Sequence, residues 1–347
     1  MNPTERFLNA CQGLPVDRPP VWLMRQAGRY MSSYQAVRKR VSFMELCRTP
    51  EIACEVTMMP IDQLGVDAAI LFSDILVPLE PMGVKVWFDG GPQIAPAVRS
   101  VADIDKLRAD GVADELGFVY DAVSLIRREL SPRGIPLLGF AGSPWTMASY
   151  LVEGGSSRHH HELKRLMYAE PGALHRMLDK LTRVVIAYLT RQVEAGAQAI
   201  QLFDTWGSLL PLKQWQTFSG DYSRRVIDAI NALGVPTIHF AKGTHLLGAC
   251  AALGSRVVSV DWTVPLGDVR EIVGPNRGVQ GNIDPAVMRA PLGVIEQAVV
   301  ECLEAHGPGP GHIVNFGHGI TPDASVEAAR CLVDAVKEHG PRFGGQL

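Results

Sequence analysis

Short, nearly continuous apolar runs alternate along this chain with longer stretches of helical periodicity. Eight runs can be placed: Pro20–Gln26, Val66–Asp74, Ile135–Gly142, Ala197–Thr205, Val235–Lys242, Arg256–Trp262, Arg277–Asn282 and His312–Gly317. Apolar runs of that length suit parallel strands covered on both faces. Helix starts are signalled between them. Thr49-Pro50-Glu51, Asp284-Pro285 and Thr321-Pro322-Asp323 each put a capping oxygen before a proline at the first helical position. Glu170-Pro171 opens a long segment that Gly196 can close. One stretch breaks the rhythm. Val84–Val98 holds β-forming residues around Asp89-Gly90-Gly91 and predicts a hairpin inserted after the second strand.

Eight strand–helix units without a linker predict a single (β/α)8 TIM barrel spanning residues 1–347. A doubly wound sheet is the alternative, but no Gly-x-Gly-x-x-Gly follows the first run to support a dinucleotide site.

Composition narrows the possibilities. Hydrophobic residues make up 47% and charged residues 20%, which requires a large core and argues against disorder. A net charge of −3 gives no global field for nucleic acid or an anionic membrane, so anion binding must come from a local cation cluster. Six scattered cysteines without a C-x-x-C pattern suit reduced, buried thiols in the cytoplasm. The polar N-terminus lacks a signal-peptide core, and Asp67, Asp74 and Glu80 interrupt the most apolar stretch, which speaks against a membrane span.

In such a barrel the chemistry gathers at the C-terminal ends of the strands. The first run ends in Arg25-Gln26, the second in Ser73-Asp74, the third in Gly142-Ser143 with Tyr150 following, and the fourth in Asp204-Thr205. His239 interrupts the fifth, and the eighth runs into His318. Arg25, Arg29, Arg38 and Arg40 cluster in one strand end and its loop. They are either a site for a multiply carboxylated or phosphorylated ligand or a solvated basic loop paired with surface acids. No G-x-x-x-x-G-K-[ST] loop supports a phosphate. Asp74 is either a turn acceptor or an anion held in an apolar pocket. Tyr150 reads equally as a core aromatic. His318, between Gly317 and Gly319, sits where the backbone can approach something closely. His159-His160-His161 is a weak metal signal, since adjacent residues do not converge on one ion.

PPVWLMRQAGRY at Pro19–Tyr30 and GFAGSPWTMASYLVEGG at Gly139–Gly155 resemble the two signature segments of the uroporphyrinogen decarboxylase family. FSDIL, QLFDTWG and NFGHGI resemble further family blocks. The resemblance implies a homodimeric TIM barrel that decarboxylates the acetate arms of uroporphyrinogen without metal or organic cofactor. It further implies that Arg25, Gln26, Arg29 and Arg38 contact the substrate, the arginines through its carboxylates, with Arg25 also linked to proton delivery. By the same resemblance Asp74 binds the central pyrrole N–H groups. Tyr150, Thr205 and His318 lie near the reacting arms, and Ile70 and Phe203 form apolar walls. Asp74, Arg25, Tyr150 and His318 are the implied catalytic set. The sequence departs from the pattern at Met31-Ser32-Ser33, where relatives usually carry Leu-Pro-Glu, a change expected to loosen the segment bearing Arg38. Met147 and Thr205 are milder departures, and Thr205 keeps the hydroxyl of the more common serine.

The nearest rival within that superfamily is a zinc-dependent methyltransferase, which carries a His-x-Cys pair on the fifth strand. Here that segment reads His239-Phe240-Ala241, without the thiolate. A non-catalytic tetrapyrrole-binding protein is the rival from another class, and an activity assay separates the two.

Overall fold

The computed structural model describes residues 1–345. Seven parallel strands form one curled sheet in the order β1 (Ala69–Ile70), β4 (Leu137–Gly142), β5 (Ala199–Asp204), β6 (Thr237–Ala241), β7 (Val257–Val260), β8 (Gly278–Gln280) and β9 (His312–Ile313). The hairpin, β2 (Lys85–Phe88) and β3 (Pro92–Ala95), is antiparallel and stands apart. It is tied down where Ile94 donates to the Gly154 carbonyl at 2.9 Å.

The first apolar run is not a regular strand. It contributes one parallel bridge, Val21 to Val314, while the Val21 carbonyl accepts from the Asp67 N–H at 2.8 Å. That places the run between β9 and β1 and closes the barrel. The physical reason for its brevity is local: Pro19 and Pro20 have no N–H to give a ladder, and the chain turns sharply at Arg25. Side chains reinforce the short ladder. Asp67, 2% exposed, accepts from the Val21 N–H at 2.8 Å and from both Arg6 and Arg18 at 2.7–2.8 Å.

Other helix signals resolve unevenly. Pro171–Glu194 and Pro50–Leu64 begin at their prolines, although the Thr49 hydroxyl donates to the Glu45 carbonyl instead of capping. Asp284 does cap, for a short 3-10 helix at Pro285–Arg289. Thr321-Pro322-Asp323 forms a turn, and the last long helix starts later, at Val326, where Ser325 accepts from Ala328. Ser325 wins because its oxygen reaches the third N–H of that helix at 3.0 Å.

Strand alternation sorts the barrel interior into layers. Trp22, Gln201, Ser259 and Gln280 form a buried polar layer in which the Gln280 amide donates to Gln201 and Ser259 and accepts from the Trp22 indole at 2.9–3.1 Å. Above it Phe203 packs edge-on against Phe140 and Phe240, at centroid distances of 5.9 and 6.2 Å, making an aromatic floor. Ile70 belongs to the same apolar cluster.

Candidate active site

One step beyond the aromatic floor, the inward positions are Thr205 after Phe203, Lys242 after Phe240, and Asp261 after Ser259. His318 joins them with its ring 6.1 Å from that of Phe240. Burial and the charges of Lys242 and Arg25 push the imidazole down to about 3, only partly opposed by Asp261, so His318 is neutral at physiological pH. Both flanking glycines leave room for a close neighbour, backbone at Gly317 and the Arg25 side chain at Gly319. A β-carbon on Gly317 would strike the Asp261–Trp262 backbone, and one on Gly319 would lie 2.8 Å from Arg25 Cγ.

Arg25 occupies the left-handed region at φ 63°, a costly conformation for a non-glycine residue. Its neighbours hold it there. Met24 donates to the Asn315 side chain at 2.8 Å and accepts from Ile320 at 2.9 Å. Gln26 lies fully inside the protein, accepting from the Leu23 N–H and donating to the Ala68 carbonyl, both at 3.1 Å. Its amide is therefore committed to shaping the Arg25 turn rather than aimed at a ligand.

Asp74 combines both roles open to it from sequence. Oδ1 accepts from the Leu76 N–H at 2.8 Å in a tight turn after β1, while Oδ2 takes no hydrogen bond from the described residues. Burial pushes its carboxyl up to about 6, against the Leu76 hydrogen bond and the charge of Arg25. Tyr150 lies on the helix Pro144–Glu153, whose start is fixed by Ser143 accepting from Thr146 and donating to Asp204 at 2.8 Å. Burial raises the phenol, Trp206 and Arg25 oppose it, and the Asp74 charge adds to it. Arg25, Asp74, Tyr150 and His318 thus share one electrostatic neighbourhood.

The other arginines divide. Arg38 ends the helix Ser32–Arg38, donates to the Val41 carbonyl and lies over the Phe43 ring at 5.7 Å. That segment is well fastened despite Met31-Ser32-Ser33: Gln63 donates to Ser33 at 2.9 Å, Gln35 donates to the Arg29 carbonyl at 2.6 Å, and Tyr34 packs on Phe72. Arg29 is exposed. Arg40 pairs with Glu55 at 3.5 Å on the surface, the solvated arrangement.

Sequence reasoning passed over Lys242, Asp261 and Trp206. Trp206 is the hub, with Tyr150 at 6.3 Å, His160 at 4.9 Å and the Lys242 ammonium at 6.0 Å from its ring. The signal available was position: each follows directly on an apolar run. Of the histidine triplet, His160 is buried against Trp206, while the rings of His159 and His161 lie 5.2 Å apart beside it.

The model of the uroporphyrinogen decarboxylase family matches residues 2–339. Uroporphyrinogen decarboxylase of Syntrophotalea carbinolica is 49% identical over 95% of this chain and 96% of its own, and that of Geobacter metallireducens is 48% identical over 95% and 97%. Among solved structures, a methyltransferase from Methanosarcina mazei superposes with a TM-score of 0.81 over 97% of this chain and 99% of its own. At 21% identity it shares the fold alone. The match of family model and near full-length relatives places this chain in the uroporphyrinogen decarboxylase family.

Proposed function

We propose that this protein is a carboxy-lyase that converts uroporphyrinogen III to coproporphyrinogen III, removing CO2 from each of four acetate arms in heme biosynthesis, with no metal or organic cofactor. The observation that carries the reading is Asp74, a carboxylate with one free oxygen in an apolar mouth beside Arg25.

Loss of CO2 leaves an electron pair that many enzymes pass to a cofactor. A pyrrole supplies its own sink. A proton added to the ring carbon beside the acetate-bearing carbon makes a cation. The C–CO2 bond then breaks, its electrons form an exocyclic double bond, and CO2 departs. A proton added to the methylene and another lost from the ring restore the aromatic pyrrole, so each turn replaces a carboxylate by hydrogen.

Asp74, accepting from the pyrrole N–H groups, would stabilise that cation. An opposite charge at 4 Å contributes about 4 kcal/mol at an effective dielectric of 20. Arg25 binds the departing carboxylate or positions a proton-bearing water, because a guanidinium is a poor acid. Arg29 and Arg38 hold carboxylate arms, Tyr150, Thr205 and His318 line the reacting arm, and Ile70 and Phe203 wall the ring. Gln26 supports the Arg25 turn.

The protein is further proposed to act as a homodimer in the cytoplasm, a compartment that suits its six free cysteines. None of the described helices is long and apolar enough to cross a membrane. Anaerobic incubation with uroporphyrinogen should yield products with seven, six, five and finally four carboxylates. Unchanged substrate would refute the assignment.

A further inference from the structure

Lys242 stands on the inward side of the barrel, two residues beyond Phe240 of β6, yet forms no ion pair among the described residues. Its nearest acid is already committed. Asp261 Oδ2 accepts from the Gly243 N–H at 2.7 Å, and Oδ1 accepts from the Thr263 N–H and hydroxyl at 2.8 and 2.5 Å. The ammonium is half-buried, with the Trp206 ring at 6.0 Å on one side. Burial holds it below the ordinary lysine range, Asp261 opposes this, and the charge of Arg25 adds to it. A cation kept partly out of water, beside a second cation and with its one nearby acid held back by three hydrogen bonds, is favoured by a ligand that brings a further anion.

We infer that Lys242 binds a carboxylate arm of the substrate from the β6 side of the mouth, opposite in sequence origin to the arginines of the first loop. This rests on the proposed uroporphyrinogen reading, and it adds a specificity residue that the arginine cluster does not include.

The test compares Lys242→Met, which keeps the stem and removes the charge, with Lys242→Arg, which keeps the charge. Lys242→Met should raise KM for uroporphyrinogen about tenfold, the worth of one charged hydrogen bond. Its kcat should stay within about threefold, and KM should depend less steeply on salt. Lys242→Arg should recover most of the affinity. A KM within twofold of the parent, or an equal loss in both variants, would overturn the inference and leave Lys242 as a support for Trp206. Should Lys242→Met not fold, the parent enzyme can be treated with an amine-reactive reagent and mapped by mass spectrometry. Bound uroporphyrinogen should shield Lys242 and leave exposed Lys39 reactive; equal labelling of Lys242 with and without it would again overturn the role. Failure of the parent to turn over uroporphyrinogen would instead count against the proposed function.

Discussion

The side chain of Arg25 lies flat across the α-carbon of Gly319, with Cγ and Nε 2.8 and 2.9 Å from where a β-carbon would stand. The contact joins the first loop of the barrel to the last, and it places the guanidinium beside His318.

Gly319→Ala should therefore act on Arg25 rather than on the fold. Residue 319 does not need a positive φ, so alanine fits the backbone, and the clash falls on a flexible side chain. We expect kcat/KM for uroporphyrinogen to drop at least tenfold while stability changes by less than about 1 kcal/mol. Steady-state kinetics with thermal unfolding as control checks this; full activity would mean that the Arg25 position is not critical.

Asp74→Asn should separate charge from shape. Asparagine still accepts from pyrrole N–H groups but cannot neutralise a cation, so the rate should fall more than about a hundredfold, or about 3 kcal/mol. Asp74→Glu should keep partial activity. For the parent, kcat/KM should rise with pH through about 6, as the carboxylate ionises. Stability runs the other way. The folded-state value lies above the ordinary one, so the contribution of this group is fully present below about pH 4 and is lost as pH rises through about 6. At pH 7.5 the Asn variant should be more stable than the parent by roughly 1–2 kcal/mol, because water still reaches part of the parent carboxylate. Equal unfolding temperatures would contradict this.

His318→Gln provides a control for that pH profile. The imidazole, held at about 3, does not titrate near neutrality. The variant should lose up to about tenfold in kcat/KM through a missing neutral hydrogen bond, with the midpoint near 6 unmoved. A shifted or abolished midpoint would transfer the ionisation from Asp74 to His318.

Chelators should leave turnover intact. On β6 the sequence His239-Phe240-Ala241 offers no thiolate, and His239 points away from the mouth toward Trp215, with 6.4 Å between rings. Activity lost to a chelator and restored by zinc would overturn the metal-free reading.

Arg29→Ala should raise KM more than it lowers kcat. The parent should bind its eight-carboxylate substrate more weakly as salt rises, since charges on an exposed arginine are screened within about 8 Å. Unchanged KM would remove Arg29 from the site.

The barrel strands were legible because burial on both faces imposes continuous apolar runs, as at Leu137–Gly142 and Ala199–Asp204. Pro20–Gln26 misled because hydrophobicity records burial, whereas a strand also needs donors that proline lacks. Asp74 and His318 stood out as polar residues at the ends of such runs. Lys242 also ends such a run, but its meaning depends on Asp261 being held by Gly243 and Thr263. No local pattern carries that information. Gln26 shares a motif with Arg25, and the turn that raises Arg25 at φ 63° folds the Gln26 side chain inward onto Leu23 and Ala68.

Closure of the barrel at its first run has a consequence for how the protein tolerates change. Besides its few backbone bonds, this seam has a clasp whose pin is the Asp67 carboxylate, gripped by Arg6 from the N-terminal helix and by Arg18. Removing one member of such a buried set leaves charges stranded, at about 3–5 kcal/mol. Arg6 and Arg18 therefore serve the active site mechanically: loosening the clasp frees the run that carries Arg25.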